Sequence, residues 1–235
     1  MINQISIHKS SLNHTLERIC ALPLFMGISR SDMEEIMGRT RFDFQKIPIY
    51  RIICNNNEIN NHLYFLLDGL VEISRKAYNN SVLFTETLEA PAIIGADILF
   101  GISRYHTHCY KAKTNTQFMI IDKKEITSNL LNYEIFRFNL LNHISMLKQK
   151  QEKMLYEPMQ KDLTKRFVQY LKHNFLYPAG SKWLKCRQKD LGEELLSHEK
   201  NICKMLNSLE EKQLVKTGRS QIFIPSFQAL IQSYG

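Results

Sequence analysis

The five cysteines, at positions 20, 54, 109, 186 and 203, are odd in number and nowhere form a CxxC pair. That spacing argues against a disulfide framework or a zinc site and for a reducing compartment, the cytoplasm. No run approaches ~18 apolar residues, so neither a membrane span nor a membrane partner is expected. The opening MINQISIHKS lacks the uninterrupted apolar core of a secretory signal. Internal repeats and low-complexity tails are missing too. So are the motifs of common catalysts: G-x-x-x-x-G-K-[ST], H-E-x-x-H, G-x-S-x-G and metal-spaced His/Glu pairs are not found. His106 and His108 stand at a metal-pair spacing but without a matching Glu, so an enzyme is not expected.

Acidic residues are the scarcer charge, 23 against 31 Lys and Arg, which leaves +8. Residues 161–235 hold 13 Lys and Arg against 7 Asp and Glu, so most of the excess lies in the last third. Phosphate binding uses such placement, because Lys and Arg displace condensed counterions. At 235 residues the chain has room for two modest domains.

The last third carries the clearest pattern. Leu191, Leu195 and Leu196 fall at helical spacing after Gln188–Asp190. Ser197 stands where an N-cap is expected for a second helix with Ile202, Leu206 and Leu209 inward and Glu199, Lys200 and Lys204 outward. Thr217–Ser220 then turns between two β-prone runs, the second being Ile222–Ile224. Helix, turn, basic-faced helix and hairpin make a winged helix-turn-helix, which places its second helix in the DNA major groove.

Upstream, residues 12–40 read as helical, with Ser29 as a cap and Asp32 three residues later. From Phe42 to Ile121 the texture is short apolar runs, Ile52–Ile53, Leu63–Leu67, Leu70–Ile73, Val82–Phe84 and Phe118–Ile121, expected as strands of a barrel-like antiparallel roll. Asp68–Gly69 reads as a hairpin turn between two of them. Asp122 can cap a helix. Beyond Ser128 the residues Tyr133, Phe136, Leu140, Ile144, Leu147, Gln151 and Met154 step by threes and fours, a seam for pairing with a second copy. The competing reading packs that stripe on the chain's own roll. Pro158 interrupts as a hinge, and Asp162–Leu163 opens another amphipathic helix.

This order of parts resembles the cAMP-receptor/fumarate-nitrate-regulator (Crp/Fnr) family of bacterial transcription regulators, from about Leu16 onward. The Leu22–Phe25 phrase is similar to the one that opens the family's sensor domain. The resemblance implies an α+β protein in three units. Residues 1–125 form a cyclic-nucleotide-binding-like antiparallel β-roll, 126–157 a long dimerisation helix, and 158–235 the winged helix-turn-helix. It implies a cytoplasmic homodimer on double-stranded DNA at a pseudopalindromic operator, with RNA polymerase as a further partner and an unidentified small-molecule effector. A ligand-binding module or adaptor that has lost DNA binding is the alternative from another class. Carried over by position, the recognition helix starts near His198. Glu199, Lys200 and Lys204 face bases, Asn201 is a further base contact, and Lys216 and Arg219 of the hairpin contact phosphate. The interhelix turn usually contains Gly where Leu196 stands, which predicts a strained or rearranged turn.

The segment from Ala92 through Phe100 to Thr114 resembles the family's phosphate-binding cassette, in which a Gly-initiated short helix points N–H groups at a cyclic nucleotide. With Gly95 at its start, the position of the family's ribose-binding Glu holds Ala96 and that of its phosphate-binding Arg holds His106. The following hydroxyl survives as Thr107. Neutral His cannot replace a bidentate Arg, and Asp97 is turned about 100° from the Glu position. Cyclic AMP is therefore disfavoured. An iron–sulfur cluster is not expected, since Cys20 is the only cysteine before residue 54. Haem remains the lesser alternative, resting on His106 and His108 sharing one strand face; structural histidines are the plainer reading. Cys54 and Cys109 are expected to be inert core thiols unless a basic neighbour activates them.

Overall fold

The computed structural model describes residues 17–235, so the first five residues of the helical stretch expected at 12–40 lie outside the described residues. Helix α1 (Arg30–Arg39) starts at Ser29, whose hydroxyl accepts from Asp32 N at 3.1 Å, as the sequence spacing predicts. Eight strands follow: β1 (Asp43–Ile47), β2 (Ile52–Cys54), β3 (His62–Asp68), β4 (Leu70–Lys76), β5 (Leu83–Glu89), β6 (Ala92–Ile94), β7 (Cys109–Ala112) and β8 (Thr116–Asp122). Helix α2 (Lys123–Ser128) is capped by Asp122, which accepts from Lys124 N at 2.7 Å. After a single 3-10 turn comes the 22-residue α3 (Glu134–Leu155). The C-terminal part runs α4 (Leu163–Asn174), β9 (Lys182–Lys185), α5 (Gln188–Glu194), α6 (Glu199–Glu211), β10 (Lys216–Gly218), β11 (Gln221–Ile224) and α7 (Phe227–Tyr234).

The strands form two antiparallel sheets, one ordered β1-β8-β3-β6 and the other β10-β11-β9-β5-β4-β7-β2. Two-residue alternation distributes β3 and β8 between two cores. Leu63, Phe65, Met119 and Ile121 face α1, α2 and the start of α3. Leu66, Phe118 and Ile120 face the interior of the roll against Val71, Ile73 and Tyr110.

Asp68–Gly69 is not a hairpin. β3 pairs with β6 and β8, and β4 with β5 and β7, so the chain at Gly69 crosses from one sheet to the other. Gly69 has φ +95°, and a Cβ there would meet Asn115 O at 2.7 Å. Only glycine fits this corner.

Part of the stripe expected as the dimer seam packs on the chain's own roll instead. Phe136 and Leu140 are buried in the chain's own core, the Phe136 ring 5.3 Å from Phe25, with Ile144 packed beside them. Leu147 and Met154 are half-buried, and Gln151 is exposed. The large apolar residues that α3 leaves uncovered are Ile135, Phe138, Leu141 and Met146, with Leu155 at its end. Both faces near 136–147 are apolar, and the roll covers the one carrying the larger continuous stripe.

The winged part does not hang from a bare linker. β9 pairs with β5 of the roll, Leu184 opposite Phe84 and Lys182 opposite Glu86, which makes one sheet continuous across both parts. The tip of the β4–β5 hairpin enters the C-terminal core. Ala77, Val82 and Phe84 are buried with Phe167, Leu171, Leu184, Leu191 and Leu206.

Candidate nucleic-acid interface and sensor pocket

Helices α5 and α6 cross closely because of Gly192. Ser197 N donates to Gly192 O at 2.9 Å, and a Cβ on Gly192 would lie 2.7 Å from Ser197 O. The turn keeps its left-handed residue although no glycine is there. Leu196 has φ +49° and a side chain 72% exposed, so it takes the strain without compensating burial. The expected rearrangement of the turn does not occur. The N-cap is also one residue later than the sequence suggests. Ser197 is held by Gly192, and extended His198 precedes α6, its carbonyl accepting from Asn201 N and Ile202 N.

Ile202, Met205, Leu206 and Leu209 anchor α6 in the core. His198, Glu199, Lys200, Asn201 and Lys204 are exposed, and Ser197 is half-buried. Lys200 and Lys204 form one outward stripe at i, i+4. Asn207, three residues beyond Lys204 and exposed, continues that stripe; sequence reading missed it although the same period reveals it. Glu199 turns toward a crevice between α6 and the wing, lined also by Leu206, Gly218 and Gln221.

The wing is tied to α6. Glu210 accepts from Thr217 N at 2.9 Å and from Thr217 Oγ1 at 2.6 Å, bonds that hold its carboxyl below the usual range. That places exposed Lys216 and Arg219 beside the helix. At the start of α5, Arg187 grips Asp190 with Nε and Nη2 at 2.9 and 2.6 Å, and those hydrogen bonds depress the Asp190 pKa.

The cassette segment contains no helix. Gly95 has φ +87°, its carbonyl accepts from Asn60 Nδ2 at 3.0 Å, and residues 96–98 form a turn instead of a helix. Ala96 is buried and Asp97 exposed; His106 is buried and Thr107 exposed. His106 and His108 precede β7 and belong to no strand, yet both are buried beside Tyr110, with ring centroids 5.9 and 6.3 Å away. Burial lowers the pKa of both. His108 falls to about 4 through burial, then Arg75 and His106. His108 Nδ1 meets Thr107 Oγ1 at 2.8 Å, and its Nε2 is buried without a partner. Burial pushes the Cys54 thiol up to about 12 and raises that of Cys109, so neither is activated.

Among the described residues, no group of three or more His, Cys, Asp or Glu side chains is placed to hold a metal ion. An open polar cleft of about 890 Å³ lies elsewhere on the roll, between Arg41, Arg51, His62, Tyr64 and Asp122.

No family model matches the sequence, and no curated protein matches it. Solved structures do. The catabolite activator protein of Thermus thermophilus is 15% identical, with 90% of this chain and 97% of that chain covered at a TM-score of 0.51. A protein from Eubacterium rectale described as a transcriptional regulator of the Crp/Fnr family is 18% identical, with the same coverages and a TM-score of 0.49. The chain thus has the fold of the Thermus thermophilus catabolite activator protein.

Proposed function

We propose that the chain is a homodimeric DNA-binding transcription regulator of the Crp/Fnr type, with residues 1–125 as sensor, 126–157 as dimer helix and 158–235 as reader. The observation that carries this is the exposed stripe of Lys200, Lys204 and Asn207 on α6, flanked by Lys216 and Arg219 on a wing locked to the same helix. Lysine can donate to guanine O6 and N7, Asn201 can pair with adenine, and Glu199 can accept from cytosine N4. Lys216 and Arg219 fix orientation through phosphate.

The exposed α3 face of Ile135, Phe138, Leu141 and Met146 pairs two copies, which sets two recognition helices about 34 Å apart on a pseudopalindrome. Cyclic AMP is not the ligand, because neither the ribose-binding acid nor the phosphate-binding guanidinium stands at Ala96 and His106.

Selection of bound duplexes from a random pool tests the reading directly. A two-fold symmetric motif is expected, and recovery of no sequence preference at moderate salt would reject it. With four basic residues per copy on phosphate or base edges, log K should fall with log salt at a slope of roughly −7.

A further inference from the structure

The inner core of the roll is covered in part by two half-buried residues from outside it. Leu176 and Tyr177, from the loop between α4 and β9, pack against the inner core formed by Val71, Ile73, Leu88, Ile94 and Tyr110. Their backbone is held as a ligand's polar groups would be. Glu86 Oε1 accepts from Leu176 N at 2.7 Å, and Oε2 accepts from Tyr177 N at 3.1 Å. From α3, Lys150 Nζ donates to the Leu176 carbonyl. We propose that this segment of the winged unit is the occupant of the sensor pocket: the roll takes the chain's own Leu176–Tyr177 in place of a diffusible effector.

This rests on the regulator reading and deepens it by naming what the sensor senses. The walls match the segment's polar groups: the Glu86 carboxylate takes its two N–H donors and the Lys150 ammonium takes its carbonyl. Burial, then Glu86 and Asp97, push the Tyr177 hydroxyl up to about 12, so the phenol stays neutral. Tyr110 is raised by burial and then by Tyr177 and Asp97, which sets the two phenols and the cassette turn in one neighbourhood. The segment touches all three units: Glu86 in the roll, Lys150 in the dimer helix, and its own winged part. Seating and unseating it is therefore the motion that changes the pose of the recognition helix relative to the dimer axis.

The test uses the full chain and p-cresol, the side chain of tyrosine as a free molecule. In Tyr177→Gly the vacated site should bind it. At about ten times its Kd, p-cresol should raise the variant's Tm by about 3 °C or more, and neither p-cresol nor cyclic AMP should move the wild type. Equal shifts in both proteins, or none in a variant that circular dichroism shows to be folded, would overturn the proposal. Wild-type hydrogen exchange decides the matter if the variant does not fold. The Leu176 and Tyr177 amides, bonded to a buried carboxylate, should exchange at least about 100-fold slower than in a free peptide, and exchange at the free-peptide rate would overturn it. None of these readouts involves DNA, so failure here leaves the operator experiment to stand or fall alone.

Discussion

Lys182 Nζ lies 2.7 Å from Glu86 Oε2, with the lysine side chain fully buried and that of the glutamate 3% exposed. The bond crosses from β9 to β5, so the charge pair sits where the winged part joins the roll. Burial lowers the Lys182 pKa and Glu86 opposes that shift. The two partners are not equivalent. Removing Glu86 strands a buried ammonium and two backbone N–H groups, whereas removing Lys182 leaves Glu86 with both amide donors. Glu86→Leu should therefore cost about 3–5 kcal/mol, and Lys182→Met only about 1–3 kcal/mol. Urea unfolding of both variants checks the order, and a larger loss for Lys182→Met would contradict it.

His108 supplies a pH prediction. Its folded pKa of about 4 lies below the ordinary 6.5, so the unfolded chain takes up this proton first as pH falls. Its contribution is complete above pH 6.5, declines between 6.5 and 4, and is level below that. The loss approaches ~3 kcal/mol at 1.36 kcal/mol per unit. In His108→Leu the fall in stability between pH 6.5 and 4 should be shallower but still present, because burial also lowers the pKa values of His106 and His143. Denaturant midpoints across that range, measured for both proteins, read the difference in slope.

The elements that read correctly from sequence are those fixed by neighbours within a few residues. Ser29, Asp122 and Asp162 each cap the helix they precede, and the inward set Ile202, Leu206, Leu209 follows from helical period alone. What failed depends on partners far along the chain. Asp68–Gly69 has hairpin chemistry, yet which strands pair is decided by residues 92–122. The Phe136–Leu140 stripe could face a copy or the roll, and Phe25 decides for the roll. On the outer side of α6, the exposure of Lys200 and Lys204 was legible while the N-cap was not, since the hold of Gly192 on Ser197 depends on how two helices cross. Lys182 in a buried ion pair is invisible locally, because its partner lies 96 residues away.

Leu196 bears positive φ with no packing to offset it. Leu196→Gly should stabilise the protein by about 1 kcal/mol, the left-handed strain of a side chain exceeding the extra freedom glycine gains in the unfolded chain. A raised denaturant midpoint with an unchanged slope is the expected result, and a lowered midpoint would reject uncompensated strain at Leu196.

The two sides of α3 should respond differently to substitution. Phe138→Lys with Leu141→Lys places charges on the uncovered face, and sedimentation should then report a monomer with native circular dichroism. Phe136→Ala acts on the covered side, where a cavity beside Phe25 should cost about 3–5 kcal/mol while the dimer persists at low temperature. Loss of dimer from Phe136→Ala at full helicity, with none from the lysine pair, would assign the contact to the original stripe.

Lys200→Ala with Lys204→Ala tests the interface itself. Neither side chain is buried, and the core residues of α6 are untouched, so melting should be unchanged. In the proposed dimer each lysine occurs twice, and a lost base or phosphate contact is worth about 1 kcal/mol or more. Affinity for the selected operator should fall at least ~100-fold, toward that for random duplex, with the discrimination between them largely gone. Lys216→Ala with Arg219→Ala should behave differently: a wing that contacts phosphate and reads no base, as proposed above, predicts weaker specific and random binding alike and a salt slope flatter by about 3–4. Gel shifts at two salt concentrations separate these outcomes. Equal discrimination after loss of Lys200 and Lys204 would move sequence reading off α6.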